Sequence, residues 1–412
     1  MTNKQVDYKL FFWIFALIIF WMIMISSVSV YGSNRVTSIL ASSWLIDEAY
    51  NHFYLIRNMT HVFISMIVLL FFVKIPYSYF EKNAKYIFWT NLIFLVLVLL
   101  FWANFWWSNR WLIIPGVPFS IQPSEFLVFS MIIFLAYFFK KNISKLSDLK
   151  QWFLPFLWII WIVFLLLLLQ PNFWAIMIIA PISIFMFFIA WARVKYLLGI
   201  FFIWIIFVLW VYNIWKYDKN DLTTRTKLSY VTDRIDNFLA NKKDLIESRD
   251  VNYQLEQWFI AIWSWWFSWL GFWASVQKFW YLPEVQWDMI FSVVIEELWF
   301  LWWLILLSVF SYIWYRWFYI SYLSSDLFAK FTAFWITSRI LIQTFINVWV
   351  NLWIVPLTWI TLPFISYWGS SLLSLILWIW LLLNISRYID EKKWWRFYWK
   401  SKTFSKQKIN MY

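Results

Sequence analysis

YLPEVQWDMIFSVVIEELWF, residues 281–300, is the stretch on which the reading of this chain turns. It opens with Leu-Pro-Glu after Tyr281, holds a single acid, Asp288, near its middle, and ends with Glu296 and Glu297 ahead of a long hydrophobic run. Nearly every residue between Asp288 and Glu296 is apolar, so Asp288 falls where an outer loop enters a membrane helix. A carboxylate at that depth is costly unless it lines a wet cavity or meets a cation, and that marks it as functional. The position equally suits an acid favoured by the dipole at a helix N-terminus, and position alone does not separate the two. Glu296 and Glu297 are adjacent on a helix and point in different directions, so at most one should face a cavity.

Outward from this stretch, the composition is that of a membrane protein. Of 412 residues, 64% are hydrophobic and 13% charged, and the mean hydropathy is +0.67. Apolar runs of roughly 18 to 22 residues recur, each long enough to cross a bilayer core as a helix. The first, Leu10 to Tyr31, is too long for the apolar core of a signal peptide and lacks a small-residue cleavage site, so it reads as a first membrane helix. With no cysteine, a disulfide framework, a thiolate metal site and a Cys nucleophile are all excluded. His52 and His61 match no metal-ligand spacing. The net charge of +13 does not point to nucleic acid, because in a membrane protein surplus Lys and Arg mark cytoplasmic loops. Neither a P-loop nor a Gly-rich nucleotide fingerprint is present, which argues against an ATP-driven pump.

Glycine and tryptophan counts are anomalous: 5 Gly against 39 Trp. Average usage would give roughly 29 Gly in a chain of this length, and membrane helices use small residues to approach one another. Trp should gather in interfacial belts, yet here it also sits mid-span and in turns, as at Trp265-Trp266 and Trp368. The two counts together make an ordinary total for Gly and Trp in a membrane protein. The reading that accounts for both is that most of these Trp are glycines, encoded by UGA in a bacterium that reads UGA as Gly. A truly Trp-rich protein is the alternative.

Ten spans are expected, at about 10–31, 55–73, 86–107, 122–139, 152–169, 171–192, 196–215, 289–315, 331–353 and 366–386. With the N-terminus inside, the cytoplasmic segments 1–9, 74–85, 140–151, 193–195, 316–330 and 387–412 carry 21 of the 34 Lys and Arg. The opposite orientation would violate the positive-inside rule. Both termini are then cytoplasmic, and the whole of 1–412 is one all-α polytopic membrane domain with a long outer loop at about 216–288. That loop reads as a solvated connector with a short amphipathic helix near Arg234 to Leu239. The basic, aromatic tail 387–412 suits an end lying against anionic membrane lipids.

Four stretches align in order: Arg110-Trp111 followed by Ile121-Gln122-Pro123-Ser124-Glu125; Gln170-Pro171-Asn172-Phe173-Trp174; Tyr253-Gln254 through Gln277-Lys278 to the stretch quoted above; and Asn347 through Pro356 to Leu362-Pro363-Phe364-Ile365-Ser366-Tyr367-Trp368-Gly369-Ser370-Ser371. Together they resemble the SEDS family of bacterial membrane proteins, the FtsW/RodA group, and the resemblance runs from the first span to Arg387. The ordered set is specific, although each motif alone is weak. Where this chain has Trp174, Trp263, Trp265, Trp299, Trp353, Trp359 and Trp368, the family places glycine. Trp111 stands where the family itself has Trp.

The resemblance implies a peptidoglycan glycosyltransferase that polymerises lipid II at the outer face of the cytoplasmic membrane. The family's essential acid falls on Asp288, which can take the proton of the acceptor sugar's 4-hydroxyl as it attacks the donor's anomeric carbon. The leaving lipid pyrophosphate needs positive charge nearby, and Arg57, Arg110 and Lys278 are the candidate cations. Interfacial snorkelling is the structural alternative for each of them. Glu125 reads either as a first-turn acid favoured by the dipole or as a cavity-lining acid, and the resemblance favours the second. Glu297 is the further candidate in the cavity. Ser366 and Ser370 read as structural. No cofactor is called for, and a divalent cation on the pyrophosphate, Mg2+ or Mn2+, is left open.

Two departures bear on the cations: Asn172 stands where the family usually has Asp, and Val128 where it usually has Lys. Val276-Gln277-Lys278, Tyr281-Leu282-Pro283-Glu284 and Thr361-Leu362-Pro363 lean toward the division branch, which implies a class B penicillin-binding transpeptidase and other division proteins as partners. A lipid II flippase and a non-catalytic division scaffold are the competing functions. The coding sequence is expected to carry UGA at Trp174, Trp299 and Trp368; reading UGG there would remove the glycine interpretation.

Overall fold

The computed structural model describes residues 6–101, 122–143, 152–170, 172–189, 289–352, 354–356, 358, 360–366 and 369–389, with isolated positions between 199 and 278. Ten helices are described, and the described residues contain no strand. In chain order they are α1 Tyr8–Val28, α2 Val30–Ser42, α3 Phe53–Phe72, α4 Tyr77–Phe101, α5 Pro123–Asn142, α6 Leu154–Leu169, α7 Phe173–Ile189, α8 Ile290–Leu323, α9 Leu327–Asn351 and α10 Gly369–Ser386. Six of the described helices are long and apolar enough to cross a membrane, and three shorter apolar helices accompany them. The chain is a multi-pass membrane protein.

Nine of the ten expected spans correspond to a described helix. Most of the remaining one, 196–215, lies outside the described residues, as does most of the outer loop, including all but Phe238 of the amphipathic helix expected near Arg234 to Leu239. Two spans depart from the expected bounds by more than five residues. α4 begins at Tyr77, nine residues early, because Phe80, Ala84 and Phe88 already form an inward stripe at helical spacing while Glu81 turns to Lys140. α8 runs 34 residues, on to Leu323, or about 51 Å. Trp317, Ile320 and Leu323 continue its buried face, and Arg316 does not end the helix because it pairs with Asp7. α2 had no counterpart among the expected spans; its inward side is the polar pair Ser33 and Thr37, which hydropathy overlooks.

α9 lies at the centre, packed on α5, α7, α8 and α10. Aromatic contacts join its neighbours: Phe88 stacks on Phe134 between α4 and α5 at 4.5 Å, and Phe139 meets Phe331 between α5 and α9 at 6.3 Å. One end of the bundle is laced by polar ties. Lys140 reaches both Glu81 and Asp326 at 2.6 Å. Asn384 accepts from the Tyr77 N–H at 2.9 Å and donates to the Ile75 carbonyl at 3.0 Å. These ties, with the Asp7–Arg316 pair, gather the chain's first residues, the α3–α4 and α8–α9 connections and the end of α10 at one end.

Several Trp are placed awkwardly. Trp21, Trp317, Trp335, Trp378 and Trp380 are fully buried, and none of their indole N–H groups has a hydrogen-bond acceptor among the described residues. Buried indoles ordinarily find one. Trp44 is 94% exposed and adopts φ 60. It follows the C-cap Ser43 of α2, donating its N–H to the Ala41 carbonyl at 3.0 Å, while the Leu45 N–H donates to the Leu40 carbonyl at 3.0 Å. Those two bonds define a Schellman ending, whose left-handed residue is ordinarily glycine. Trp44→Gly is expected to stabilise the fold by about 1 kcal/mol by removing the left-handed penalty, read as a higher unfolding temperature in detergent, and codon 44 is expected to be UGA.

Candidate active site

The end of the bundle opposite the polar ties holds the candidate residues. α8 starts there, with Met289 as its N-cap and Ile290 buried behind it. Asp288 lies outside the described residues. Arg110 also lies outside them. Gln122 is extended and Pro123 occupies the first turn of α5, where its missing N–H costs nothing. Glu125 follows in the same turn, where the helix dipole favours an acid.

Two charge clusters form. In the first, the Lys278 ammonium donates to Ser27 Oγ and Glu297 Oε1, both at 2.9 Å. Ser27 in turn donates to Glu297 Oε1 at 2.7 Å. Lys278 is 3% exposed, and Ser27 and Glu297 are fully buried. Beside them Ser275 donates to Glu296 Oε2 at 2.6 Å and accepts from the Lys278 N–H at 3.2 Å. Of the candidate site residues, Lys278 and Glu297 are therefore brought into direct contact. Both glutamates bond to the short segment ahead of α8, and Ser27 draws α1 into the same cluster.

In the second cluster Arg339, at mid-length in α9, donates from Nη2 to Glu125 Oε2 at 3.0 Å. Its guanidinium carbon lies 4.8 Å from the centre of the Trp378 ring. Arg339 is 2% exposed, while the Glu125 side chain keeps 23% of its surface open. Next to Glu125, Asn172 donates to Ser124 Oγ at 3.0 Å. Arg57, in α3, is partly buried, and its Nε has no acceptor among the described residues. No described contact joins it to either cluster.

Arg339 begins a polar stripe at four-residue spacing: Arg339, Gln343, Asn347 and Asn351, each almost wholly buried. Gln343 donates to the Thr361 carbonyl at 2.9 Å and Asn347 to the Ile360 carbonyl at 2.7 Å. Asn351 accepts from Ser292 in the first turn of α8 at 2.8 Å. The stripe thus ties α5, the 360–366 loop and the start of α8 to one helix. In that loop Ser366 Oγ accepts from the Leu362 N–H at 2.7 Å, which is the structural role expected of Ser366. Phe364 within it is held at φ 68, a conformation that persists only where surrounding contacts enforce it. The sequence reading passed over Arg339 and Gln343. The signal was available, because a lone arginine inside an apolar run is a functional candidate by default.

The chain is similar to known proteins over most of its length. A model of the FtsW/RodA/SpoVE cell cycle proteins matches residues 8–391. "Stage V sporulation protein E" of Bacillus subtilis (strain 168) is 30% identical over 391 residues, covering 94% of this chain and 99% of that protein. "Probable peptidoglycan glycosyltransferase FtsW" of Trichlorobacter lovleyi is 29% identical over 384 residues, covering 93% of each. Among solved structures, a chain of a peptidoglycan synthase complex studied for coordination of polymerization and crosslinking superposes with a TM-score of 0.70 at 19% identity, covering 93% of this chain and 99% of that one. The rod shape determining protein RodA of Thermus thermophilus superposes with a TM-score of 0.62 at 18% identity, covering 93% and 98%.

Removing one partner of a buried ion pair strands the other charge. Lys278→Met or Glu297→Leu alone is therefore expected to destabilise the fold by about 3–5 kcal/mol. The double replacement should cost less than the sum of the two, measured by thermal unfolding in detergent as a double-mutant cycle.

Proposed function

Because the chain belongs to the FtsW/RodA/SpoVE family of cell cycle proteins, we propose that it is a peptidoglycan glycosyltransferase that polymerises lipid II at the outer face of the bacterial cytoplasmic membrane. The observation that carries this reading is the polar stripe of α9. It links one partly open carboxylate, Glu125, and a buried guanidinium at mid-length in α9 to the start of α8, the helix that follows Asp288 in the sequence. Such an arrangement can receive a sugar diphosphate while its lipid tail stays among the helices' apolar surroundings.

Asp288 acts as general base. It accepts the proton of the acceptor's 4-hydroxyl as that oxygen bonds to the donor's anomeric carbon, and the bond from that carbon to the lipid diphosphate breaks. The departing diphosphate carries the negative charge, and Arg57 and Arg110 are placed by sequence near the outer face to meet it. Lys278 and Glu297 serve by their buried contact, which holds the segment leading into α8. Among the described residues no group of three or more metal-ligating side chains gathers. The laced end of the bundle, where Lys140, Arg316 and Arg387 lie, faces the cytoplasm by the positive-inside rule.

The partner of this reading is a class B penicillin-binding transpeptidase, supported by the likeness to a chain from a peptidoglycan synthase complex. The division branch is favoured by Val276-Gln277-Lys278 and by relatives bearing the FtsW name. Purified protein supplied with labelled lipid II is expected to form glycan strands, and Asp288→Ala to slow their formation by about 100-fold or more. Lipid movement without polymer would instead identify a transporter. Normal growth of cells carrying Asp288→Ala would identify a scaffold.

A further inference from the structure

Outside the segments assigned to the cytoplasm from sequence and residues 216–256, the chain's cations are Arg35, Arg57, Arg110, Lys278 and Arg339. Lys278 is closed in by Ser27 and Glu297. Arg339 is not closed in. One of its nitrogens, Nη2, donates to Glu125, while its buried Nε and Nη1 have no acceptor among the described residues. A buried cation with unmet donors is expensive in a membrane interior, and it calls for an acceptor that arrives from outside. Its carboxylate partner is 23% exposed while the arginine is 2% exposed, so the pair is open on the side of Glu125.

We propose that Arg339 is a phosphate-binding residue, and that it holds the diphosphate of the lipid-linked donor while Glu125 fixes the plane of its guanidinium. This rests on the lipid-linked donor of the previous subsection. Nε and Nη1 each flank Nη2, so an oxyanion beside Glu125 can accept from one of them and from the second Nη2 hydrogen. That planar pair of donors suits phosphate oxygens in a way an ammonium cannot. Glu125 balances the arginine's charge in the empty site, and Arg339 bridges carboxylate and phosphate when the site is filled. A glycine at position 378 would uncover one face of the guanidinium and leave the contact with Glu125 in place.

The placement also accounts for Val128. It lies three residues after Glu125 on the same helix and is 4% exposed, so a side chain there shares the face of Glu125. In this chain the cation that meets Glu125 comes from α9, across the helix interface, and a lysine at 128 would meet the same carboxylate from within α5.

The test uses the full chain in lipid nanodiscs, carrying Asp288→Asn to prevent turnover, with fluorescent undecaprenyl diphosphate as probe and undecaprenol as the phosphate-free control. Arg339→Met is expected to weaken diphosphate binding at least tenfold and leave undecaprenol binding unchanged. Adding Val128→Lys to Arg339→Met is expected to restore most of the loss, and Arg339→Lys, which keeps charge but loses the fork, to fall between. With Asp288 intact, Arg339→Lys should raise KM for labelled lipid II more than it lowers kcat. If Arg339→Met, or Arg339→Lys should the former not fold, binds the diphosphate as tightly as the parent, the proposal is overturned. If Val128→Lys gives no rescue in a folded protein, it is likewise overturned. Arg339-dependent diphosphate binding by a parent chain that makes no glycan would sustain the phosphate seat and remove the polymerase reading.

Discussion

Lys278, Glu297 and Ser27 meet in the bundle interior, and the arrangement of α1 and the start of α8 follows from that contact. An ammonium and a carboxylate enter a low-dielectric interior only together and with their remaining hydrogen bonds met. Ser27 supplies the hydroxyl that completes the pair. The three residues come from α1, from the segment ahead of α8 and from α8 itself, so satisfying the charges fixes all three relative to one another. Ser275 and Glu296 repeat the arrangement one step away, which makes the clamp a patch and not a single bond.

The second organising feature is the stripe on α9. An amide side chain in an apolar setting must find partners, and Gln343 and Asn347 find theirs in the backbone carbonyls of the loop before α10. That loop includes a residue in the left-handed region, Phe364, held with its ring buried against Phe310. Below the amides the same stripe ends in Arg339, whose partner is a side chain and not backbone. One helix face therefore serves two purposes: its upper part holds a strained loop in place, and its lower part presents charge. The opposite end of the bundle is simpler. Its partly buried ion pairs and the Asn384 clasp join the connections between helices.

Much of this was legible before any coordinates. Runs of apolar residues of bilayer length yielded nine of the described helices, since a helix is the structure that satisfies its backbone within one segment. The errors have local causes. Hydropathy stops at a charged residue, so the expected span ended ahead of Arg316 in α8, which Asp7 in fact neutralises. It also passed over α2, whose inward side is Ser33 and Thr37. The stretch around Asp288 and the acid Glu125 stood out because charge is rare in such a chain. Arg339 carried the same signal and was passed over. The pairing of Lys278 with Glu297, 19 residues apart, has no signature in spacing.

Sequence was sufficient for the class, the membrane spans, the family and the anomalous tryptophans, because each of these depends on composition and on periodicity within one segment. Which acid meets which cation was settled by packing. Glu125 and Arg339 are 214 positions apart, and nothing in either helix alone names the other. Burial turns a list of scattered charges into two bonded clusters, since in a bilayer interior each charge must find its opposite, and only the arrangement of the helices says where that opposite lies.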